Sequence, residues 1–455
     1  MTDAPQLPGM PDPVPAPPAP AERPPLEPER RRVRTAARQQ VELVARSLDE
    51  SLPDDHPARL VWALVERLDL DDFYAHVQSA LGGPGRPASD PQVLLALWIY
   101  ATVDGVGSAR RLDRLCREQD AYRWLRGGVP VNYHLLSDFR IGHRAELDDL
   151  LTQTIAVLLH QDLISLETVA QDGIRVRASA GSSSFRRRAT LERCRDEAAE
   201  RVTELARQAD GPDPTINRKQ QAARLRAARE RLQRLDAALE ELPALEAIKE
   251  QQRKKKSAKD KKKVTEARVS MTDPEAHVLH MPDDGFRPAY NIQEATDTGA
   301  RAILGMEVTN AGSDGGLAPG LEAQVAERCG GQHPTHYLID GGLTDKGTIT
   351  TLDDRGVTVY GPPQPPKSQQ PDGRTIGEAR PDDPPAVAAW RARMATDEGQ
   401  TIYRERGSLV EWTHAQWRTR HGLQQFRVRG IDKVTSVMLL MAVTHNLLQW
   451  ARLGA

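Results

Sequence analysis

A change of period constrains this chain more than any other feature. From about Gln40 to His160, apolar residues recur at three- and four-residue spacing: Val41, Leu43, Val44 and Leu48, then Leu60, Val61, Leu64, Val65 and Leu68. That is the helical period. Ser89 and Asp90 stand as a capping pair ahead of an apolar helix that starts at Pro91, and Gly105, Gly107 and Gly127-Gly128 separate further helices. Residues 131–143 read either as a helix offering Tyr133, His134, Arg140 and His143 to a groove or as an ordinary surface helix. Near Leu163 the texture changes. Residues 168–177 alternate and are rich in β-branched side chains, as a strand would be. Residues 290–297 and 302–309 predict two more strands joined by turn residues at 297–300, and 335–340 and 357–360 predict a fourth and a fifth. Residues 317–328 and the last sixty or so are helical in pattern. A helical block followed by strands alternating with helices predicts an all-α N-terminal domain and a mixed α/β domain.

Two inserts interrupt the second domain. Residues 189–250 form a charged helical pair broken at 211–214, whose second arm places Leu225, Ala228, Leu232, Leu235, Leu239 and Leu242 at heptad positions. The pair ends in a block of lysines and arginines, 253–263, suited either to phosphates or to a solvated linker. Residues 361–395 read as a flexible loop, rich in Pro, Gln and Asp up to Pro384. The expected boundaries are a disordered Pro/Ala-rich tail over 1–35, a helical domain over 36–160, and an α/β domain over 161–455 interrupted at 186–268 and 361–395. The 62 Lys and Arg nearly balance the 64 Asp and Glu, so any nucleic-acid surface must be local; basic residues bunch over 186–268 and 404–433. Three scattered cysteines give neither a disulfide framework nor a zinc motif. The apolar stretch 437–450 is short for a membrane span and contains His445 and Asn446, so it reads as a core helix of a cytoplasmic protein without a membrane partner.

Three acids stand out by placement. Asp172 lies in the first strand, Asp340 closes a short apolar strand ahead of Gly341-Gly342, and Glu411 lies on a later helix. An Asp at the C-terminal end of a strand faces the crevice where α/β folds bind ligands. Three carboxylates in one cleft raise one another's pKa values unless a cation is bound. Two divalent ions reverse that cost and support in-line displacement at phosphorus. The plainer alternative is that Asp172 and Asp340 only cap turns. On a regular helix, Glu411, Ala415 and Arg418 share one face, so Arg418 is expected either to meet a phosphate near Glu411 or to form a surface ion pair. Asp297 and Asp314 are further acids, read as turn or surface residues, with Asp314 the stronger reserve.

Four passages together are specific. Residues 90–97, Gly105, 108–112 and 139–140 form the first; 169–179 around Asp172 the second; 268–276 with 285–293 the third; and 403–411 with Arg418, 426–433 and His445-Asn446 the fourth. In these the chain resembles the DDE-type transposases of bacterial insertion sequences, the branch with an InsH-like N-terminal helical domain. The resemblance implies an RNase H-like catalytic domain, with a mixed five-stranded sheet and helices, beside the all-α domain and the helical-hairpin insert. It implies Asp172, Asp340 and Glu411 as catalytic acids and metal ligands, holding Mg²⁺ or Mn²⁺, two ions per site. It also implies Tyr403, Arg406, Arg418 and Lys433 as DNA contacts. The implied partners are terminal inverted repeats and target DNA, with paired ends held by a homodimer or a larger assembly at the nucleoid. Gly341-Gly342-Leu343 and residues 412–417 depart from the family's usual runs, though all three acids are present. Two other readings stay open: an RNase H-like nuclease that cuts without joining, and a DNA-binding protein descended from an inactive transposase.

Overall fold

The computed structural model describes residues 38–41, 45–79, 86–210, 218–254, 266–363 and 377–454. The expected tail, nearly all of the basic block and the middle of the 361–395 loop lie outside the described residues. A short unit runs to Arg46, and a compact unit spans Ser47–Ala455; the second carries everything below.

Among the described residues, helices α1 (Pro57–Val65), α2 (Asp71–Ala75), α3 (Pro91–Val103), α4 (Ala109–Glu118), α5 (Asp120–Arg126), α6 (Tyr133–Gly142) and α7 (Arg144–His160) precede the sheet. The start of α3 follows from its sequence: the Asp90 side chain accepts from the Gln92 amide, and Pro91 fills the first turn, where no amide is needed. Apolar residues surround α3 on all sides, so it is buried along its length. The α6 region corrects an expectation. Arg140 is not offered to a groove; it is buried, donates to the Gly107 carbonyl and lies 4.1 Å over the Trp98 ring. His143 is packed beside Phe73 and Phe139.

The sheet region contains β1 (Thr168–Arg177), β2 (Phe185–Arg186), α8 (Arg188–Asp210), α9 (Arg218–Lys254), β3 (Val269–Ser270), β4 (His277–His280), β5 (Phe286–Asp297) and β6 (Ile303–Thr309). After these come α10 (Ala318–Arg328), β7 (His336–Leu338), α11 (Lys346–Asp354), β8 (Thr358–Tyr360), α12 (Pro385–Met394), α13 (Asp397–Ala415) and α14 (Ile431–Leu453). Helices α8 and α9 pack together, with Leu235, Ala238 and Leu242 buried against Leu191 and Ala198 and with Leu232 and Leu239 beside them, so the seam takes in Leu232, Leu235, Leu239 and Leu242 of the heptad positions.

β1 is central. It pairs antiparallel with β5 and parallel with β7; β6 flanks β5 and β8 flanks β7. The sheet has six strands rather than the five expected, because β4 pairs with the start of β5. β4 is only four residues, with apolar Val278 and Leu279 between two histidines. A second correction falls in the expected loop: α12 is a helix, because Val387, Trp390 and Met394 recur at helical spacing and are buried. The apolar helix α14 packs against α7, α3, α6 and β6, joining the helical layer to the sheet. Its length and composition would allow a membrane span, but 83% of its apolar window is buried within the protein.

Candidate active site

The registers of the sheet bring the acids together. Thr168 pairs with His336 and Ala170 with Leu338 across the parallel β1–β7 ladder. Continuing that register two residues past the ladder sets Asp172 level with Asp340. Across the antiparallel ladder, Asp172 lies directly opposite Glu294, and directly paired residues project from the same face. The sheet centre thus gathers Asp172, Asp340 and a third acid, Glu294, that sequence reasoning passed over.

Helix α13 covers this face of β1. Its Arg406 donates from Nη2 to Asp172 Oδ1 at 2.7 Å and from Nε to the Gln171 carbonyl at 3.3 Å. Two turns on, His414 Nδ1 lies 3.8 Å from Asp172 Oδ2, and its Nε2 lies 3.0 Å from Glu294 Oε1. The latter is an ion-pair distance without hydrogen-bond alignment, and both Glu294 oxygens are buried with no hydrogen-bond partner. Burial raises the Asp172 carboxyl above the ordinary carboxylate range; Arg406 and His414 pull it down, and Asp340 pushes it up. Glu294, entirely buried, is pushed up too, with His414 opposing. Burial alone would lower the His414 imidazole, but Glu294 and Asp172 outweigh it and hold its pKa above 6.5.

Asp340 is half-buried just past β7. Its Oδ1 accepts from the Gly342 and Leu343 amides, both at 2.9 Å, so it caps a turn as the plainer reading expected. Gly342 keeps this corner open. A Cβ there would lie 3.2 Å from Asp340 Oδ1 and 3.8 Å from Asp314 Oδ2. Asp314 is tied to Asn291 and Gln293, at 2.6 and 3.0 Å.

Glu411 lies on α13 and is exposed. The expected common face of Glu411, Ala415 and Arg418 is broken, because residues 416–420 form a π turn that rotates Arg418 away from the regular spacing. Arg418 instead borders an open groove with Arg175, Arg177 and Arg287. Tyr403 is half-buried beside Arg406, and burial raises its phenol. Lys433 is exposed in the first turn of α14, where its charge acts on buried Asp273.

Two family models match the chain. The Transposase DDE domain covers residues 368–451, and the Transposase domain (DUF772) covers residues 46–141. Both matches are to transposase domains, and together they support a DDE-type insertion-sequence transposase. The first match takes in α12, α13 and most of α14, including Glu411, and stops short of Asp172 and Asp340. The second runs from Arg46, just ahead of the compact unit, to the last turn of α6. No curated protein and no solved structure matches the chain.

Proposed function

We propose that this transposase cuts DNA at the terminal inverted repeats of its element and joins the freed 3′ ends to target DNA, with Asp172, Asp340 and Glu411 as its catalytic acids. The observation that carries the reading is the parallel β1–β7 register, which continued just past β7 sets Asp172 level with Asp340, under a helix that carries Glu411. The strand order β6-β5-β1-β7-β8, antiparallel on one side of β1 and parallel on the other, supports an RNase H-like catalytic domain. In that frame the helices before β1 serve as a DNA-binding domain, and the helical hairpin and the loop after β8 are inserts.

The donor set fits divalent ions. Asp172 crowded by Asp340, beside an unsatisfied Glu294 in the same pocket, is an arrangement of hard oxygen donors that a cation would relieve. Asp172, Asp340 and Glu411 would hold two Mg²⁺ or Mn²⁺ ions, which supply charge neutralisation and an activated oxygen for displacement at phosphorus. Arg406 keeps Asp172 oriented through Oδ1 and leaves Oδ2 turned toward His414. The Arg175, Arg177, Arg287 and Arg418 groove supplies positive charge for the phosphate backbone. Tyr403, Arg406 and Lys433 complete the DNA contacts. The working form is a homodimer or larger assembly on paired ends, acting on cytoplasmic DNA at the nucleoid.

The test is cleavage of a labelled duplex bearing the element's end, with Mg²⁺, Mn²⁺ or EDTA, for wild type and Asp172→Ala. Metal-dependent cleavage at the end, reduced by on the order of 10³-fold or more in the variant, is expected. Cleavage products without strand-transfer products would favour a nuclease. Intact DNA in every condition alongside firm binding would favour a DNA-binding descendant.

A further inference from the structure

The helical region holds a second cluster of ligating side chains, which shares no residue with the carboxylate cleft. His76 caps the end of α2, His143 stands at the corner between α6 and α7, and Glu146 lies in the first turn of α7. One ligand atom from each lies within 4.8 Å of the others. His76 Nε2 is hydrogen-bonded to Glu146 Oε1, and His143 Nδ1 lies 3.7 Å from Glu146 Oε2.

We propose that His76, His143 and Glu146 form a binding site for a transition-metal ion of the Zn²⁺ class. The donors are two imidazole nitrogens and one carboxylate, with the fourth position left to water on the exposed His76 side. Two nitrogens and one oxygen suit Zn²⁺ and its borderline neighbours, whereas the oxygen donors of the cleft suit Mg²⁺.

Three observations support a site rather than a chance cluster. The His143 ring is fixed before any ion arrives: it lies 5.2 Å from the Phe73 ring and 4.8 Å from that of Phe139, which are themselves stacked. Held there, its Nδ1 is buried and has no hydrogen-bond partner, an uncommon and costly state that a metal bond would resolve. The surroundings are acidic: after burial, the charges of Asp148, Asp72 and Glu146 hold the Asp149 carboxyl above its ordinary range, so the potential favours a cation. A tetrahedral Zn²⁺ places its ligand atoms about 3.3 Å apart, given bonds of about 2.0–2.1 Å. The required closure is small and falls to His76, whose side chain is 57% exposed. Once formed, the site would reinforce the tie between the short helix α2 and the α6–α7 corner, which Phe73 packing and the His76–Glu146 hydrogen bond already join.

The experiment uses the full chain, stripped with chelator, re-equilibrated with Zn²⁺ and desalted, with metal content measured by mass spectrometry. Wild type should retain one Zn²⁺ per chain, and its thermal midpoint should rise with added Zn²⁺. His76→Ala, a surface change that leaves the fold intact, should lose both, as should Glu146→Gln. The Asp172→Asn/Asp340→Asn variant should keep both, which separates this site from the cleft. Co²⁺ in place of Zn²⁺ should give the intense visible absorption of a tetrahedral centre, lost in His76→Ala. No retained Zn²⁺ in wild type would overturn the proposal. So would equal retention and an equal thermal shift in His76→Ala, or loss confined to the Asp172→Asn/Asp340→Asn variant.

Discussion

At the scale of the residue, the proposed acids separate chemistry from binding. Asp340→Asn keeps the turn cap, because an amide oxygen still accepts from Gly342 and Leu343, but it removes the charge an ion requires. Cleavage should fall by on the order of 10³-fold or more while gel-shift affinity for inverted-repeat DNA stays near wild type; parallel loss of both would tell against the assignment. His414 gives a pH test. Its folded pKa stands above the unfolded 6.5, so the stability it contributes is complete below 6.5 and is lost as pH rises through the folded value. An NMR titration should find that raised value, and Glu294→Gln should lower it and flatten the loss of stability on the alkaline side. Asp172 and Asp340 were legible in the sequence because each sits in a recognisable strand context. The offset that sets them level is only a difference of residue numbers until β1 and β7 are known to pair. Glu294 was not legible, since an acid within 290–297 gives no sign that both faces of its strand are covered. His414 was not either, because its role depends on standing two turns beyond Arg406, over the same carboxylate.

Elements were legible where their period was strong. The alternation in β1, β5 and β6 and the heptads of α9 gave the right structure, whereas β4 was too short to stand out and the Pro- and Asp-rich approach to α12 hid a helix. The π turn after α13 has no sequence signature at all, and it undoes the face inferred for Arg418. The helix α14 shows how a motif can be structural. Asn446 donates to the Ile303 carbonyl and accepts from the Ile303 amide, both at 2.8 Å, filling the role of a neighbouring strand at the start of β6. Next to it, His445 Nε2 meets the Arg301 carbonyl at 2.7 Å. Asn446→Ala would strand both Ile303 groups in the core and should cost about 2–4 kcal/mol, read as a lower midpoint in urea unfolding. A shift below 0.5 kcal/mol would mean that water replaces the amide.

The whole molecule is held together by close backbone approach as well as by apolar packing. Gly422, at φ +65°, brings the loop after the π turn against the α3–α4 turn, and a Cβ there would lie 2.9 Å from the Gly105 carbonyl oxygen. Close by, His421 Nδ1 meets the Thr102 carbonyl at 2.9 Å. Gly422→Ala combines strain with a backbone clash and should lower stability by about 1–3 kcal/mol in denaturant titrations. The position of α14 has a consequence for how the protein is made. The ribosome completes β1 roughly 250 residues before it begins α14, which at roughly 5–20 residues per second is a wait on the order of 10–50 s. Until α14 is made, the faces of α3, α6, α7 and, once it is synthesised, β6 that pack against it stay uncovered. A nascent chain therefore passes through a stage with Asp172 already synthesised and its core still open, and the timing of release from the ribosome governs when the cleft can first form.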